Sequence, residues 1–188
     1  MNNCSSFAAA IMATAFLAGC AGSIAPEVRG PERGGKRHIG SGLEEKEFKE
    51  IEVELPSYPQ ETGLLEFKLR RNSDNRFYID RESVSIGADR VVRYSAVIVS
   101  PSGVRNVSYE AIRCKTGETK VYAYGTDSGE WVQARSSQWR GIERSSVDIR
   151  FNLFKDYFCH SEAIAGRNAQ DLIANLRGSP FNRTAGHN

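Results

Sequence analysis

The middle of the chain alternates between apolar and polar residues, the pattern expected of half-buried β-strands. Turn-forming residues separate the alternating segments at hairpin spacing, and Ser100-Pro101-Ser102-Gly103 fits a type I turn. This pattern predicts an antiparallel meander of about six to eight strands. The predicted strands cover residues 51–55, 64–70, 76–80, 83–87, 91–100, 104–114, 119–125 and 130–134.

The apolar period becomes helical in the last third of the chain. Residues 145–159 carry apolar side chains at spacings of four, three and four, which predicts an amphipathic helix with Ser145 or Ser146 as its N-cap. The predicted buried face of this helix consists of Val147, Phe151, Phe154 and Phe158.

A second helix is predicted over residues 168–178. Asn168 is its N-cap, Gly178 marks its end, and Pro180 prevents its continuation. Strands followed by helices indicate an α+β domain, in which one or two C-terminal helices cover one face of the sheet. The buried stripe of this second helix is predicted to be Leu172, Ile173 and Leu176.

The N-terminus has the features of an export signal. Residues 7–18 are apolar, a length that fits the core of a signal peptide and is short for a membrane-spanning helix. The sequence Leu17-Ala18-Gly19-Cys20 that follows is similar to a bacterial lipobox, in which the cysteine thiol is alkylated by a diacylglyceryl group and the chain is cut before it. The alternative is an ordinary signal peptide with a chance cysteine near its end.

We therefore predict a signal peptide over residues 1–19 and lipidation at Cys20, with the mature chain facing the periplasm of a bacterial envelope. Two or more acyl chains anchor a protein stably where one is marginal. Residue 21 is Ala rather than Asp, so nothing argues for retention at the inner membrane, and the outer membrane is favoured. Residues 20–50 are predicted to be a flexible tether, 51–178 the folded domain, and 179–188 a disordered tail.

Two of the four cysteines remain available for pairing. Cys4 would be removed with the signal peptide and Cys20 would carry lipid, which leaves Cys114 and Cys159. In an oxidising periplasm, two such cysteines most often form a disulfide. The alternative is a pair of buried free thiols.

Charge and motifs point to no particular chemistry. The formal net charge of +2 is too small to argue for nucleic acid as a partner. The sequence has no recognised catalytic, nucleotide-binding or zinc motif, and we predict no catalytic residue, metal ligand or cofactor. Acidic residues between the predicted strands suit solvated turns better than a calcium loop. These residues are Asp80, Glu82 and Asp89.

Aromatic and arginine side chains provide a candidate contact surface. If helices cover one sheet face, the other face carries tyrosine and arginine, which are enriched where proteins meet. The predicted partner surface consists of Tyr122, Tyr124, Arg93 and Arg113. The alternative is that the tyrosines are cross-strand pairs that stabilise the sheet.

One block of the sequence resembles that of a known protein family. The run SPSGVRNVSYEAIRC in residues 100–114, with DYFC in residues 156–159, resembles the CNP1-like family of small exported proteins from β-proteobacteria. The similarity covers roughly residues 50–160. The resemblance implies an envelope location and a paired cysteine, and it implies no catalytic residues.

These observations favour a membrane-tethered envelope lipoprotein that acts as a non-enzymatic binding or assembly module, with an envelope protein as its partner. One alternative is a hydrolase of envelope polymer or lipid that works through paired carboxylates. The other is a small-ligand carrier or sensor with a pocket between sheet and helices.

Overall fold

The computed structural model describes residues 48–178, which form an antiparallel sheet with helices on one face. Spatial order follows chain order from β1 to β6, while β7 pairs with the other end of β5. The predicted meander and α+β class are confirmed. The strands are β1 (Leu64–Phe67), β2 (Arg76–Ile86), β3 (Val92–Val99), β4 (Arg105–Arg113), β5 (Glu118–Gly125), β6 (Trp131–Gln133) and β7 (Arg140–Gly141).

The turn between β3 and β4 has the predicted chemistry. The amide of Gly103 donates to the carbonyl of Ser100 at 2.9 Å, which closes a four-residue turn. Gly103 has a φ of 85°, a conformation that glycine adopts without steric cost. The tight connection holds β3 and β4 in register along their whole length.

The two strands predicted at residues 76–80 and 83–87 are one irregular strand, β2. Its pairing with β3 is interrupted between Asp80 and Ser85. Within the interruption, the hydroxyl of Ser83 accepts from the amide of Ser95 and donates to the carbonyl of Asp80, both at 2.7 Å. A side chain thus replaces the ladder bonds that the irregularity removes, so the strand continues.

The helical layer lies against one face of the sheet. It contains α1 (Ile149–Asn152), which continues into a π-helical turn (Leu153–Phe158), and α2 (Ala169–Arg177). Between them is a small hairpin of β8 (Cys159–His160) and β9 (Ala163–Ile164). Neither helix among residues 48–178 has the length and apolar character needed to cross a bilayer. The largest buried side chains of this core include Tyr94, Ile79, Ile112, Leu153, Tyr157, Phe158 and Leu172.

The first predicted helix exists, but its cap and part of its predicted face are wrong. Asp148 is the N-cap and accepts from the amides of Arg150 and Phe151, and Val147 lies before the helix with 54% of its surface exposed. Phe158 is buried, as predicted. Leu153 and Tyr157, which are not part of the predicted face, are buried as well. The widened turn shifts the buried face, because a π-helix repeats more slowly than the α-helical period used for the prediction.

The second predicted helix is confirmed in position and cap. The Asn168 side chain accepts from the amide of Asp171 at 3.0 Å, which satisfies one of the first-turn donors. Leu172 and Leu176 are buried, and Ile173 packs half-buried against the same core.

The disulfide between Cys114 and Cys159 joins the end of β4 to the end of the π-helical turn. Its Cα atoms are 5.5 Å apart, within the usual range for a disulfide, and both cysteines are buried. The bond closes a loop with a sequence separation of 45 and fixes the helical layer to the sheet.

Residues 51–55 are not a strand, contrary to the prediction. They belong to an extended segment, residues 48–58, that crosses the second face of the sheet and pairs with no strand. We call this segment the strap. Ile51 and Leu55, the ends of the predicted apolar face, are exposed. Residues 48–50 of the predicted tether contact the sheet, whereas the rest of the tether, the signal peptide, Cys20 and the C-terminal tail lie outside the described residues.

Candidate functional site

The second face of the sheet, away from the helices, carries a concentration of charged and aromatic side chains. Two of its members are deeply buried although they are charged: Arg93 on β3 and Asp89 in the turn before it. The Arg93 guanidinium donates twice to the Asp89 carboxylate, at 3.1 and 2.6 Å. Two parallel bonds of this kind fix both side chains in one orientation.

Protonation of this pair is set by competing effects. Burial alone would raise the pKa of Asp89, but the hydrogen bonds from Arg93 and from the amide of Ile51 outweigh burial, and the pKa is lowered. Arg93 also donates to the hydroxyl of Tyr122 at 3.2 Å. The ion pair therefore remains charged and supports the tyrosine beside it.

The Glu50 carboxylate of the strap meets several donors from the sheet. It accepts from the Tyr122 hydroxyl at 2.5 Å, the Lys120 ammonium at 2.7 Å and the Trp139 indole N–H at 3.3 Å. The Arg93 guanidinium lies 3.9 Å away. We call these four side chains, three bonded donors and a nearby guanidinium, the carboxylate site. Burial favours a higher pKa for Glu50, but the bonds from Lys120 and Tyr122 prevail and its pKa is lowered.

An aromatic contact lies next to the carboxylate site. The Phe48 ring lies 3.6 Å from the Arg113 guanidinium and meets the Trp139 ring edge-on, with centroids 6.0 Å apart. Arg113 is held from its other side by Glu118 at 2.8 Å. Cation–π contacts of this kind are strongest where water is partly excluded.

The other end of the strap is held separately. The Trp131 indole donates to the carbonyl of Pro56 at 2.8 Å, and the Tyr58 hydroxyl donates to the carbonyl of Thr126 at 3.1 Å. Gly125 makes room for this contact, because a Cβ there would lie 2.6 Å from the Tyr58 hydroxyl oxygen. The strap is thus fixed at both ends, with an exposed stretch between them.

The predicted partner surface is divided between the two faces of the sheet. Arg93, Tyr122 and Arg113 come together beneath the strap, while Tyr124 lies on the face that carries the helices and is 51% exposed. A bulge in β5 causes the division. Tyr109 and Glu110 of β4 pair with Ala123 and Val121, so Tyr122 is an extra residue and the alternation shifts by one.

Tyr124 borders an open cleft of about 370 Å³ between β5, the segment around β7 and the start of α1. We call this open cleft the Tyr124 cleft. Beside it, Arg150 donates two bonds to the buried Glu110 carboxylate, at 2.8 and 2.6 Å. Its lining includes Val121, Tyr124, Gln138, Arg140, Ile142 and Arg150.

The three acidic residues Asp80, Glu82 and Asp89 have different environments in the structure. Asp89 is engaged by Arg93, Glu82 is exposed, and Asp80 is buried with its pKa raised by loss of hydration. Within residues 48–178, no three side chains form a group suited to hold a metal ion.

Sequence reasoning missed Glu50, Phe48 and Trp139 as members of the second face. The polar neighbours of Glu50 and Phe48 predict a tether at these positions. An aromatic residue two positions before a glutamate was the available signal, since a solvated linker has little use for a large apolar ring. Trp139 lies in an irregular segment before β7, where the alternation of apolar and polar residues cannot predict which face of the sheet a side chain contacts.

Fold and site define a small α+β domain, with a disulfide-linked helical layer on one sheet face and a strap of its own chain on the other. A family model, that of the CNP1-like family, matches residues 43–177, and the chain belongs to this family. No curated protein and no solved structure matches the chain significantly.

Proposed function

We propose that the protein is a lipid-anchored component of the bacterial cell envelope whose folded domain binds a partner without catalysing a reaction. The observation that carries the proposal is the pairing of Cys114 with Cys159 in a domain that follows a lipobox-like sequence ending at Cys20. Disulfides persist in oxidising compartments such as the periplasm. The leader and the disulfide therefore support the same location independently.

The location is tested by replacing the lipidated residue. Cys20→Ser removes the thiol that would carry lipid, so we expect the protein to move from the membrane fraction to the soluble periplasmic fraction. Cys4→Ser is the matched control, because Cys4 lies in the segment expected to be cleaved, and its fractionation should match the wild type. An unchanged distribution of the Cys20→Ser protein would contradict the proposed anchor.

The binding role is assigned to the Tyr124 cleft. An exposed tyrosine stands there beside two arginines and the apolar side chains of Val121 and Ile142. Such amphipathic aromatic and arginine side chains are the groups that dominate binding energy at contact surfaces. The cleft lies on the helical face of the sheet and the strap crosses the other face, with Lys120 the one residue of the cleft lining that also binds the strap.

The geometry favours binding over the two alternatives for particular reasons. Two carboxylates line the cleft: Asp148, which accepts from the amides of Arg150 and Phe151 as the N-cap of α1, and Glu143, which is exposed. Both oxygens of the buried Glu110 close by accept bonds from Arg150, and Tyr94 and Ser108 also donate to it. Asp148 and Glu110 are therefore held in structural roles. The space between sheet and helices, where a carrier would hold its ligand, is filled by buried side chains such as Phe158 and Leu172.

The cleft is tested with Tyr124→Ala in affinity capture from detergent-solubilised envelopes. Loss of a central aromatic contact typically costs more than about 1 kcal/mol, so we expect recovery of the partner to fall by roughly tenfold. Val104→Ala is the control, since Val104 is also exposed but lies in the β3–β4 turn. Equal recovery by the two variants would remove Tyr124 from the contact.

A further inference from the structure

We infer that the second face of the sheet is a binding site for an extended, carboxylate-bearing peptide of another protein, and that residues 48–51 of the strap occupy this site in the structure. The site is the carboxylate site together with the aromatic contact at Arg113. The inference concerns the face opposite the Tyr124 cleft, so it goes beyond the proposed function and the two can fail separately.

The donors belong to the sheet and to the segment before β7, not to the strap. Lys120 and Tyr122 come from β5, Arg93 from β3, and Trp139 from the segment before β7. Asp89 holds Arg93 in place through two hydrogen bonds, and the Lys120 ammonium lies 5.1 Å from the Tyr122 ring and 5.8 Å from the Trp139 ring. With these supports, the donors remain converged if the Glu50 carboxylate leaves.

The charge of the site matches an acidic ligand. Asp89 balances Arg93, and Glu118 balances Arg113, so Glu50 is the carboxylate that balances Lys120. Departure of Glu50 would leave a positive charge beside two neutral donors in a half-buried position. An incoming carboxylate restores the same balance, whereas a neutral peptide does not.

The contacts of the strap describe the peptide that the site accepts. Phe48 places an aromatic ring against Arg113, Glu50 supplies the carboxylate two residues later, and the amide of Ile51 donates to Asp89 at 3.2 Å. The amide contact is available to any residue except proline. Lys49, between the two anchors, is exposed, so the recognised pattern is an aromatic residue, any residue, then an acidic residue.

The strap is attached in a way that permits exchange. It is not hydrogen-bonded to the sheet as a strand, and Glu52, Glu54 and Leu55 are exposed. Segments with few buried apolar contacts and solvent-exposed backbone open at lower free energy than the core. Lifting residues 48–51 therefore leaves the ladder of the sheet intact.

The test measures binding of a peptide with the strap's own sequence to the full-length protein. A fluorescein-labelled peptide, KEFKEIEVELPSY (residues 46–58), is titrated with wild-type and Glu50→Gln proteins and followed by anisotropy. A tethered occupant competes at an effective concentration near millimolar, so weakening it should expose the site. We expect the Glu50→Gln protein to bind the peptide at least tenfold more tightly than the wild type does.

Three comparisons make the test specific. Glu54→Gln changes an exposed strap carboxylate and should bind as the wild type does. A peptide with glutamine at the Glu50 position should bind the Glu50→Gln protein at least tenfold more weakly. Adding Lys120→Met to Glu50→Gln should abolish binding, and circular dichroism shows whether each variant is folded. If Glu50→Gln does not fold, Phe48→Ala weakens the strap by a different contact and serves in its place.

Three results would overturn the inference. The first is equal binding of the glutamate and glutamine peptides by a folded strap variant, and the second is no binding of the glutamate peptide up to millimolar concentration. The third is a wild-type dimer in light scattering that dissociates when Lys120→Met is introduced, because that result would assign the site to the strap of a second copy of this chain.

Discussion

At the scale of single residues, Glu50 links the strap to the sheet more than any neighbour does. Its two oxygens accept from a lysine, a tyrosine and a tryptophan, and the four residues come from parts of the chain up to 89 positions apart. Its neighbours Glu52 and Glu54 have the same chemistry but are exposed. Position relative to the donors, rather than residue type, therefore gives Glu50 its role.

The charge of Glu50 should make stability depend on pH. Its pKa in the folded protein is below the ordinary value of 4.5, so its stabilising contribution is present above that value and is lost as pH falls through the folded pKa. We expect Glu50→Gln to lower the melting temperature at pH 7 and to have a smaller effect near pH 3. Thermal melts of wild type, Glu50→Gln and the exposed control Glu54→Gln across this range measure the difference. A gap between wild type and Glu50→Gln that does not change with pH would contradict the assignment.

At the scale of elements, polar side chains sustain the π-helical turn. The Asp156 carboxylate accepts three bonds from Arg70, and the Tyr157 hydroxyl donates to the carbonyl of Lys68 at 2.6 Å. Near the C-terminal end of the π-helical turn, the Asn175 side chain of α2 donates to the carbonyl of Tyr157 at 3.1 Å. These bonds connect the turn to the chain after β1 and to α2, which offsets the irregular backbone pairing of a π-helix.

Another polar side chain, that of Asn152 at the end of α1, is fully buried. Its oxygen accepts from the amide of Arg70 at 2.8 Å, and its nitrogen donates to the carbonyls of Ser146 and Asp148. Asn152→Ala leaves three part-buried backbone groups without this partner, so we expect a loss of about 2 kcal/mol in the free energy of unfolding. Urea denaturation measures it. Asn106→Ala, at an exposed position on β4, should change the value by less than about 0.5 kcal/mol; equal effects would contradict this role.

At the scale of the whole molecule, the helical layer and the strap are attached to opposite faces of the sheet by different interactions. The helical layer is joined through a shared apolar core and the disulfide, whereas the strap is joined by ion pairs, hydrogen bonds and ring contacts at its two ends. Salt screens charge contacts, although a half-buried pair such as Lys120–Glu50 is screened less than an exposed one, whereas apolar burial does not depend on charge. The two layers should therefore respond differently to solution conditions.

The disulfide should account for a large part of global stability. Closing a loop with a separation of 45 residues contributes on the order of 4 kcal/mol in the chain-entropy model. We expect the double variant Cys114→Ala and Cys159→Ala to lose a comparable free energy of unfolding in urea. Reductant should lower the stability of the wild type to a similar level and leave the double variant unchanged. Free thiols at both positions in unreduced, denatured wild-type protein would contradict the bond.

The sequence predicted the parts of the fold that depend on near neighbours. The hairpins of the meander, the turn ending at Gly103 and the cap of α2 at Asn168 are all local, and all are confirmed. Alternation in residues 51–55 correctly indicates an extended chain, but it contains no information on whether a partner strand lies beside it. The π-helical turn and the bulge at Tyr122 change the residue period, so patterns counted at a fixed period fail beyond them.

The candidate site was predictable only in part for the same reason. Amphipathic side chains on predicted strands indicate a contact surface at Arg93, Arg113 and Tyr122, and in the structure these three residues do share a face. What covers that face was not predictable, because Glu50 and its partners Lys120 and Tyr122 are 70 and 72 positions apart in the chain. Strand alternation predicts Tyr124 on the same face, but the bulge in β5 interrupts that alternation.

The distance along the chain between the strap and its contacts also sets an order of events during folding. Each hairpin of the meander forms from residues that are synthesised in close succession, whereas Phe48 and Glu50 must wait for Trp139. Loops of this length close late because chain entropy opposes them until most of the structure exists. The newborn domain should therefore pass through a stage in which its hairpins are paired while this charged surface is still open to water and to any other chain nearby.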